Sequence, residues 1–126
     1  MFKRLTELGI PAVITRNTDE SLPKSARIQR IQEIIRNSDD PSDIILISNH
    51  INAGGAEGAE IVYGLRNDST LADLALDNIG EAGQIKRKTY QRRLPENPNK
   101  DYYYIIRETA PAESLLVEYG FIDNAR

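Results

Sequence analysis

The sequence has 126 residues, a length that suits one domain with a single buried core. Its formal charge of −3 provides no overall basic field, which argues against nucleic acid as a partner. No apolar run approaches the roughly 20 residues that a membrane-spanning helix requires, so no membrane span is predicted.

The first third of the chain shows two helical patterns with a strand pattern between them. Apolar residues at helical spacing, followed by a glycine, predict a helix over residues 1–8. The apolar and β-branched run PAVIT, residues 11–15, predicts a strand. Residues 24–37 are predicted to form a second helix, because one face carries a stripe of isoleucines: Ile28, Ile31, Ile34 and Ile35.

The middle of the chain contains two strand patterns and a third helix. Residues 44–48 form an unbroken apolar run, which is typical of a strand buried on both faces. A glycine-rich connection leads to a second predicted strand, residues 59–63. Residues 70–83 are predicted as a helix, with Thr70 as the candidate N-cap.

The last third begins with a polar stretch and ends with strand patterns. Residues 86–101 are polar, basic and proline-containing, and we predict an exposed loop. Residues 102–107 and 114–117 are predicted as strands. Because helices and strands alternate, we expect an α/β fold with three layers: a twisted, mostly parallel or mixed sheet with helices on both faces.

Polar side chains follow three of the predicted strands at their carboxyl ends. These residues are Arg16, His50 and Glu118. In open α/β sheets, ligands bind outside the carboxyl ends of the strands, which makes all three candidates for a site. Cysteine is absent and His50 is the only histidine, so a metal would have to be bound by His50 and carboxylates.

Each of these residues also has a purely structural interpretation. His50 would then hydrogen-bond its own loop, and Glu118 would accept from main-chain N–H groups in the turn before a glycine. Arg16 would pair with Asp19 or Asp43. The stretch GGAEG matches no phosphate-binding pattern, and the basic cluster of residues 86–93 is interpreted as a solvated loop rather than a grip for an anionic polymer.

Two stretches together resemble a known enzyme family. ILISNHINAGGAEGAEIVY and PAESLLVEYGFIDN are similar to the second-histidine and catalytic-glutamate motifs of the zinc-dependent N-acetylmuramoyl-L-alanine amidases, the autolysin-type cell-wall hydrolases. VITRNTDE and the following KSARIQRI resemble the family's strand ending in Thr-Arg and its Arg-bearing helix. The resemblance therefore covers essentially the whole chain.

This resemblance implies a function for each candidate residue. His50 would bind zinc, Glu118 would act on the zinc-bound water, and Asn52 and Arg16 would contact the substrate. The implied reaction is hydrolysis of the amide between N-acetylmuramic acid and L-alanine in peptidoglycan. Peptidoglycan as the partner implies a location in the cell envelope or outside the cell, although the sequence shows no export-signal pattern.

Two family features have no counterpart in these residues: the Gly-His-Gly-Gly motif with the first zinc histidine, and the zinc-binding glutamate after it. We therefore expect one amidase-like domain over residues 1–126, truncated at both ends and with an incomplete metal site. Glu57 and Glu60 are not assigned as substitutes, and Glu60 is expected to face solvent. The alternative is a non-enzymatic peptidoglycan-binding or regulatory module of the same fold. The oligomeric state is not predicted.

Overall fold

The computed structural model describes residues 1–124. The chain divides into two compact units, Met1–Asn37 and Ser38–Arg126. The single domain over 1–126 stays a prediction. Across residues 1–124, every helix is too short or too polar to cross a bilayer.

The first unit contains two helices, α1 (Phe2–Glu7) and α2 (Lys24–Arg36), and both were predicted. Ile28, Ile31 and Ile35 of the predicted stripe are buried. The strand predicted at residues 11–15 is wrong, because that segment has no ladder partner in the described chain. A strand is stabilised by hydrogen bonds to a neighbouring strand. Here the Thr15 carbonyl oxygen instead accepts from the Arg30 guanidinium at 2.7 Å.

Over its described residues, the second unit contains a four-stranded sheet, a two-stranded sheet, two α-helices and a short 3₁₀ helix, Pro41–Asp43. The elements are β1 (Ile45–Asn52), β2 (Ala59–Tyr63), α3 (Thr70–Glu81), β3 (Lys86–Tyr90), β4 (Arg93–Leu94), β5 (Asn97–Asp101), α4 (Tyr104–Arg107) and β6 (Glu113–Phe121). The strand order of the larger sheet is β1-β6-β2-β3, with β1 parallel to β6, β6 antiparallel to β2, and β2 parallel to β3. This mixed sheet with its helices confirms the predicted α/β class.

Strand β1 corrects the prediction of a strand buried on both faces. Among the described residues it pairs with β6 and with no second strand, so it is an edge. Ile45, Ile47 and Ile51 are consequently exposed. Strand β2 has its predicted bounds. Strand β6 runs further than predicted, because its ladder with β1 continues to Phe121, and Glu118 therefore lies within a strand rather than after one.

The region 86–107 also differs from the sequence-based prediction. Residues 86–101 are not a loop: they form β3, which pairs with β2, and the hairpin of β4 with β5. Residues 102–107 are not a strand, since Tyr104–Arg107 form α4, in which Ile105 and Ile106 are both buried. The polar sequence KRKTY forms a strand because β2 supplies the main-chain partners, a contribution that side-chain pattern does not reveal.

A buried cluster of apolar side chains joins α3 to one face of the sheet. Its members are Ala59, Ile61, Ala72, Leu76, Leu115 and Val117. Helix α3 begins with Ser69 rather than Thr70 as its N-cap, and the main-chain N–H of Thr70 is instead satisfied by the Asp68 carboxylate at 2.9 Å. Residues that alternate with the cluster in β2 and β6, among them Glu60 and Glu118, project from the other face.

That other face is braced by the guanidinium of Arg66. It donates to the main-chain oxygens of Ile106 and Ala112 and to the Ser114 hydroxyl, at 2.6, 2.7 and 3.0 Å. One side chain thereby connects α4 to the start of β6. This anchors the strand on which Glu118 lies.

Candidate functional site

Three polar side chains lie next to one another on the face opposite α3. In the parallel ladder of β1 and β6, His50 is the partner of Glu118. In the antiparallel ladder of β2 and β6, Glu60 is the partner of Glu118. Paired residues of neighbouring strands project from the same face of a sheet. The structure therefore brings His50 and Glu118 together, with Glu118 on the middle strand and Glu60 on its other side.

The environment of Glu118 favours its protonated form. Its Oε2 atom is buried and has no hydrogen-bond partner in the described part of the chain, residues 1–124. Burial raises the pKa of the Glu118 carboxyl above its ordinary value, and the nearby charge of Glu60 raises it further. A carboxyl with a raised pKa holds a proton more readily than an ordinary one, which suits a group that exchanges a proton with its surroundings.

His50 and Asn52 lie near the end of β1 rather than in a loop. The His50 ring is hydrogen-bonded through Nε2 to the Ser48 hydroxyl at 2.8 Å. The register of β1 on β6 shifts between His50 and Asn52. The Asn52 side chain accepts from the main-chain N–H of Ala53 at 2.9 Å and donates to Glu60 at 3.1 Å.

Glu60 also lies in the candidate site, where the sequence did not predict it. It was expected to face solvent, but only 6% of its surface is exposed. Its carboxylate accepts from Asn52 and from Arg87 Nε, both at 3.1 Å. The position is buried because β2 has a neighbour on each side, and one of those neighbours, β3, was predicted to be a loop. With β3 recognised as a strand, β2 has a neighbour on each side, and the β3 side chains Arg87 and Tyr90 contact the Glu60 carboxylate.

The glycine-rich connection after Asn52 is held by Asp123. One oxygen of the Asp123 carboxylate accepts from the N–H groups of Gly54 and Gly55, at 2.9 and 2.8 Å. Both glycines have positive φ angles, 126° and 71°, a conformation that side chains disfavour. These main-chain donors lower the pKa of the Asp123 carboxyl below its ordinary range.

We predict that the Gly54 and Gly55 amide signals report the ionisation of Asp123. A depressed pKa means that the hydrogen-bonded loop persists below the ordinary aspartate value of about 3.9 and is released only as the pH falls through the lower, folded-state pKa. A pH series of ¹H–¹⁵N spectra should show both amide protons shifting with a shared midpoint below that value. In Asp123→Asn this shared transition should be lost, and its survival would contradict the assignment.

The family model described as N-acetylmuramoyl-L-alanine amidase matches residues 1–126. The chain belongs to this amidase family. This confirms the resemblance carried by the sequence motifs. No curated protein matches the chain.

Several solved structures share the fold. Cwp6 from Clostridium difficile is 29% identical with a TM-score of 0.80, over 95% of this chain and 18% of that chain. N-acetylmuramoyl-L-alanine amidase AmiC2 of Nostoc punctiforme is 21% identical with a TM-score of 0.72, over 95% and 60%. The CwlD amidase from Clostridioides difficile, solved with the GerS lipoprotein, is 21% identical with a TM-score of 0.69, over 97% and 65%. The chain thus spans less than two thirds of each.

The remaining candidate of this amidase-family chain, Arg16, belongs to the first unit. Its guanidinium donates to the main-chain oxygen of Glu20 at 2.8 Å. The Glu20 carboxylate in turn accepts from Arg30 at 2.8 Å, and this bond lowers the pKa of Glu20. Residues 15–30 are therefore held together by arginines. A substrate-binding role for Arg16 stays a prediction.

The zinc implied by the amidase family can be compared with the side chains present. His50 is a nitrogen ligand of the type that zinc prefers, and Glu118 beside it has an unpaired buried oxygen within the described chain. A catalytic zinc generally takes three protein ligands. Within residues 1–124, no three His, Cys, Asp or Glu side chains are grouped so as to hold a metal. The donor chemistry fits zinc, but the described residues supply only part of the ligand set.

Proposed function

We propose that this chain carries the catalytic carboxylate and one zinc ligand of a peptidoglycan amidase, which hydrolyses the amide between N-acetylmuramic acid and L-alanine. The observation that carries the proposal is the pairing of His50 with Glu118 on adjacent strands, where Glu118 has a buried oxygen without a partner in residues 1–124. Membership of the amidase family supports the same reaction.

Glu118 is the proposed proton carrier. It accepts a proton from the attacking water, which adds its oxygen to the carbonyl carbon of the lactyl group. It then delivers that proton to the nitrogen of L-alanine as the C–N bond breaks, so the products are a carboxylic acid and a free amine. This role requires a group that changes protonation state during turnover, and burial beside Glu60 provides the raised pKa that favours this.

We assign His50 as a zinc ligand and Asn52 and Arg16 as substrate contacts. When bound, zinc supplies polarisation of the amide carbonyl and a lower pKa for the attacking water. His50 is the one zinc ligand that we assign. Residues 1–124 do not group further His, Cys, Asp or Glu side chains with it into a set of three. Peptidoglycan as substrate places the protein in the cell envelope or outside the cell.

The reaction is tested by its products. Peptidoglycan incubated with the zinc-supplemented protein should release stem peptides with a free L-alanine amino group, leaving muramic acid with a free lactyl carboxylate. Mass spectrometry identifies both products, and a chelator should prevent their formation. Cleavage at a glycosidic bond, or between two amino acids of the stem, would contradict the proposal.

A second candidate function is peptidoglycan binding without hydrolysis. It is favoured by the absence, in the described residues, of three grouped metal ligands. Sedimentation with insoluble peptidoglycan distinguishes the two functions. Binding without product formation, unchanged by a chelator and by Glu118→Gln, would support the binding module and contradict the enzyme.

We expect His50→Ala to lower the zinc content of the protein. The imidazole is the nitrogen donor of the site, and alanine offers no ligand in its place. Zinc per chain can be measured by inductively coupled plasma mass spectrometry after dialysis. The matched control is Asn49→Ala. Asn49 lies next to His50, but it accepts from the Tyr119 hydroxyl on the face of the sheet that packs against α3. Equal zinc content in both variants would remove His50 from the ligand set.

A further inference from the structure

Glu60 occupies a position on β2 that an apolar side chain would fill at lower cost. Its neighbours in the strand, Ala59 and Ile61, are fully buried, and Glu60 itself is 6% exposed. It also lies directly opposite Glu118, and like charges at opposite positions of an antiparallel pair destabilise a sheet. A buried carboxylate at this position is therefore unfavourable for folding, which indicates a role other than packing.

The two oxygens of the Glu60 carboxylate have different partners. Oε1 accepts from Asn52 Nδ2 at 3.1 Å, and Oε2 accepts from Arg87 Nε at 3.1 Å. The Tyr90 hydroxyl lies 3.5 Å from Oε1. Arg87 and Tyr90 belong to β3 and Asn52 belongs to β1, so Glu60 connects three strands of the sheet. Arg87 compensates the charge that burial would otherwise disfavour.

These contacts determine the orientation of the Asn52 amide. Its oxygen accepts from the N–H of Ala53, and one N–H of its NH₂ group donates to Glu60. A side-chain amide has two N–H donors. The second donates to no residue of the described chain, 1–124. Asn52 thus presents one donor of defined direction two residues after His50.

We propose that Glu60 and Arg87 form a positioning pair, which holds the Asn52 amide so that its second N–H donates to a carbonyl oxygen of the substrate peptide. Glu60 is then a positioning residue that acts through Asn52, and Arg87 holds the carboxylate in place. This inference rests on the proposed function, because that function supplies an amide-linked peptide as the substrate.

A carboxylate is required for this arrangement, and an amide of the same shape does not suffice. Glu60 accepts from Asn52 on Oε1 and from Arg87 on Oε2, and the Tyr90 hydroxyl also donates to Oε1 at 3.5 Å. Glutamine has one oxygen and one NH₂ group. In Glu60→Gln the NH₂ group must therefore face a donor, either Asn52 or Arg87, and that hydrogen bond is lost. Because the guanidinium is charged, we expect the glutamine oxygen to stay with Arg87 and the contact with Asn52 to be lost.

The orientation of Asn52 can be measured directly in the 126-residue chain without zinc. Its side-chain NH₂ pair is identified in ¹H–¹⁵N spectra as the pair that disappears in Asn52→Asp. We expect Glu60→Gln to change the chemical shifts of this pair of signals. The double variant Glu60→Gln with Arg87→Met should restore it, because the glutamine oxygen no longer has a competing donor. Glu57→Gln is the matched control, since Glu57 contacts Arg87 through its main-chain oxygen.

A kinetic measurement extends the test to the substrate. With zinc and peptidoglycan, Glu60→Gln should lower kcat/KM roughly tenfold, the effect of one lost hydrogen bond, and the double variant should recover most of it. An unchanged Asn52 pair in Glu60→Gln would overturn the inference. If the parent chain hydrolyses no peptidoglycan, the proposed function fails, whereas the spectra still decide the role of Glu60.

The test has a second variant in case Glu60→Gln does not fold, as judged by circular dichroism. Arg87→Met removes the donor to Oε2 and leaves the Glu60 carboxylate held from one side only. The Asn52 NH₂ pair should then broaden or shift. Signals identical to those of the parent chain would overturn the positioning role of the pair.

Discussion

Glu118→Gln is expected to lower the rate of amide hydrolysis by roughly 10²- to 10⁴-fold, the usual contribution of a positioned general acid–base group. Glutamine preserves the shape of the side chain, but it neither accepts the proton of the attacking water nor returns it to the leaving nitrogen. The effect should fall on kcat, because the lost interaction belongs to the transition state. Initial rates of release of stem peptides measure it.

The same substitution should leave stability unchanged or raise it. The folded-state pKa of Glu118 lies above its ordinary value, because burial and the charge of Glu60 disfavour the carboxylate. A raised pKa means that ionisation of Glu118, as the pH rises toward neutrality, costs folding free energy. Glutamine never ionises and avoids this cost. Thermal unfolding at neutral pH should therefore show a midpoint no lower than that of the parent.

Glu113→Gln is the matched control for this experiment. Glu113 is the first residue of β6, the strand that carries Glu118, and its ladder partner is Ile45 at the opposite end from His50. Its substitution should leave the hydrolysis rate as it is. Equal rates for both variants would contradict the assignment of Glu118 as the proton carrier, whereas equal losses would point to a change in the strand itself.

Ile61→Ala is expected to lower the free energy of unfolding by about 2–5 kcal/mol, the range for removing a large aliphatic side chain from a core. Ile61 is fully buried in the cluster between the sheet and α3. Alanine leaves a cavity that the neighbouring strands cannot close, because β2 is held on both sides by β6 and β3. Urea unfolding followed by circular dichroism measures the change.

The matched control is Ile45→Ala. The substitution removes the same atoms from an isoleucine, but Ile45 lies on the edge strand β1 and 54% of its surface is exposed. Because little apolar area is lost there, the expected change is within about 0.5 kcal/mol. Similar losses in the two variants would show that the α3 cluster is not the centre of the core.

The candidate site was predictable only in part. His50, Asn52 and Glu118 were identified from two separate motifs, and the structure places all three around the β1–β6 ladder. Glu60 was not identified, although it lies within one of those motifs. Because side chains alternate along a strand, the sequence specifies only that Glu60 points to the face opposite Ala59 and Ile61. Whether that face is covered depends on strands remote in sequence.

The sequence by itself determined the three longer helices, because a helix closes its hydrogen bonds within four residues and its apolar stripe is local. Helices α1, α2 and α3 all lie where their periodicity predicted. It also determined the family, because the His50 and Glu118 motifs are contiguous stretches.

Tertiary structure alone decided which segments pair as strands. KRKTY became β3 and PAVIT remained irregular, against their propensities, because a strand exists only where another supplies its hydrogen-bonding partners. The same pairing made β1 an edge, made β2 central, and placed the Glu60 carboxylate opposite Glu118. The environment of the Glu118 carboxyl therefore follows from contacts between residues distant in the chain, which local sequence pattern does not encode.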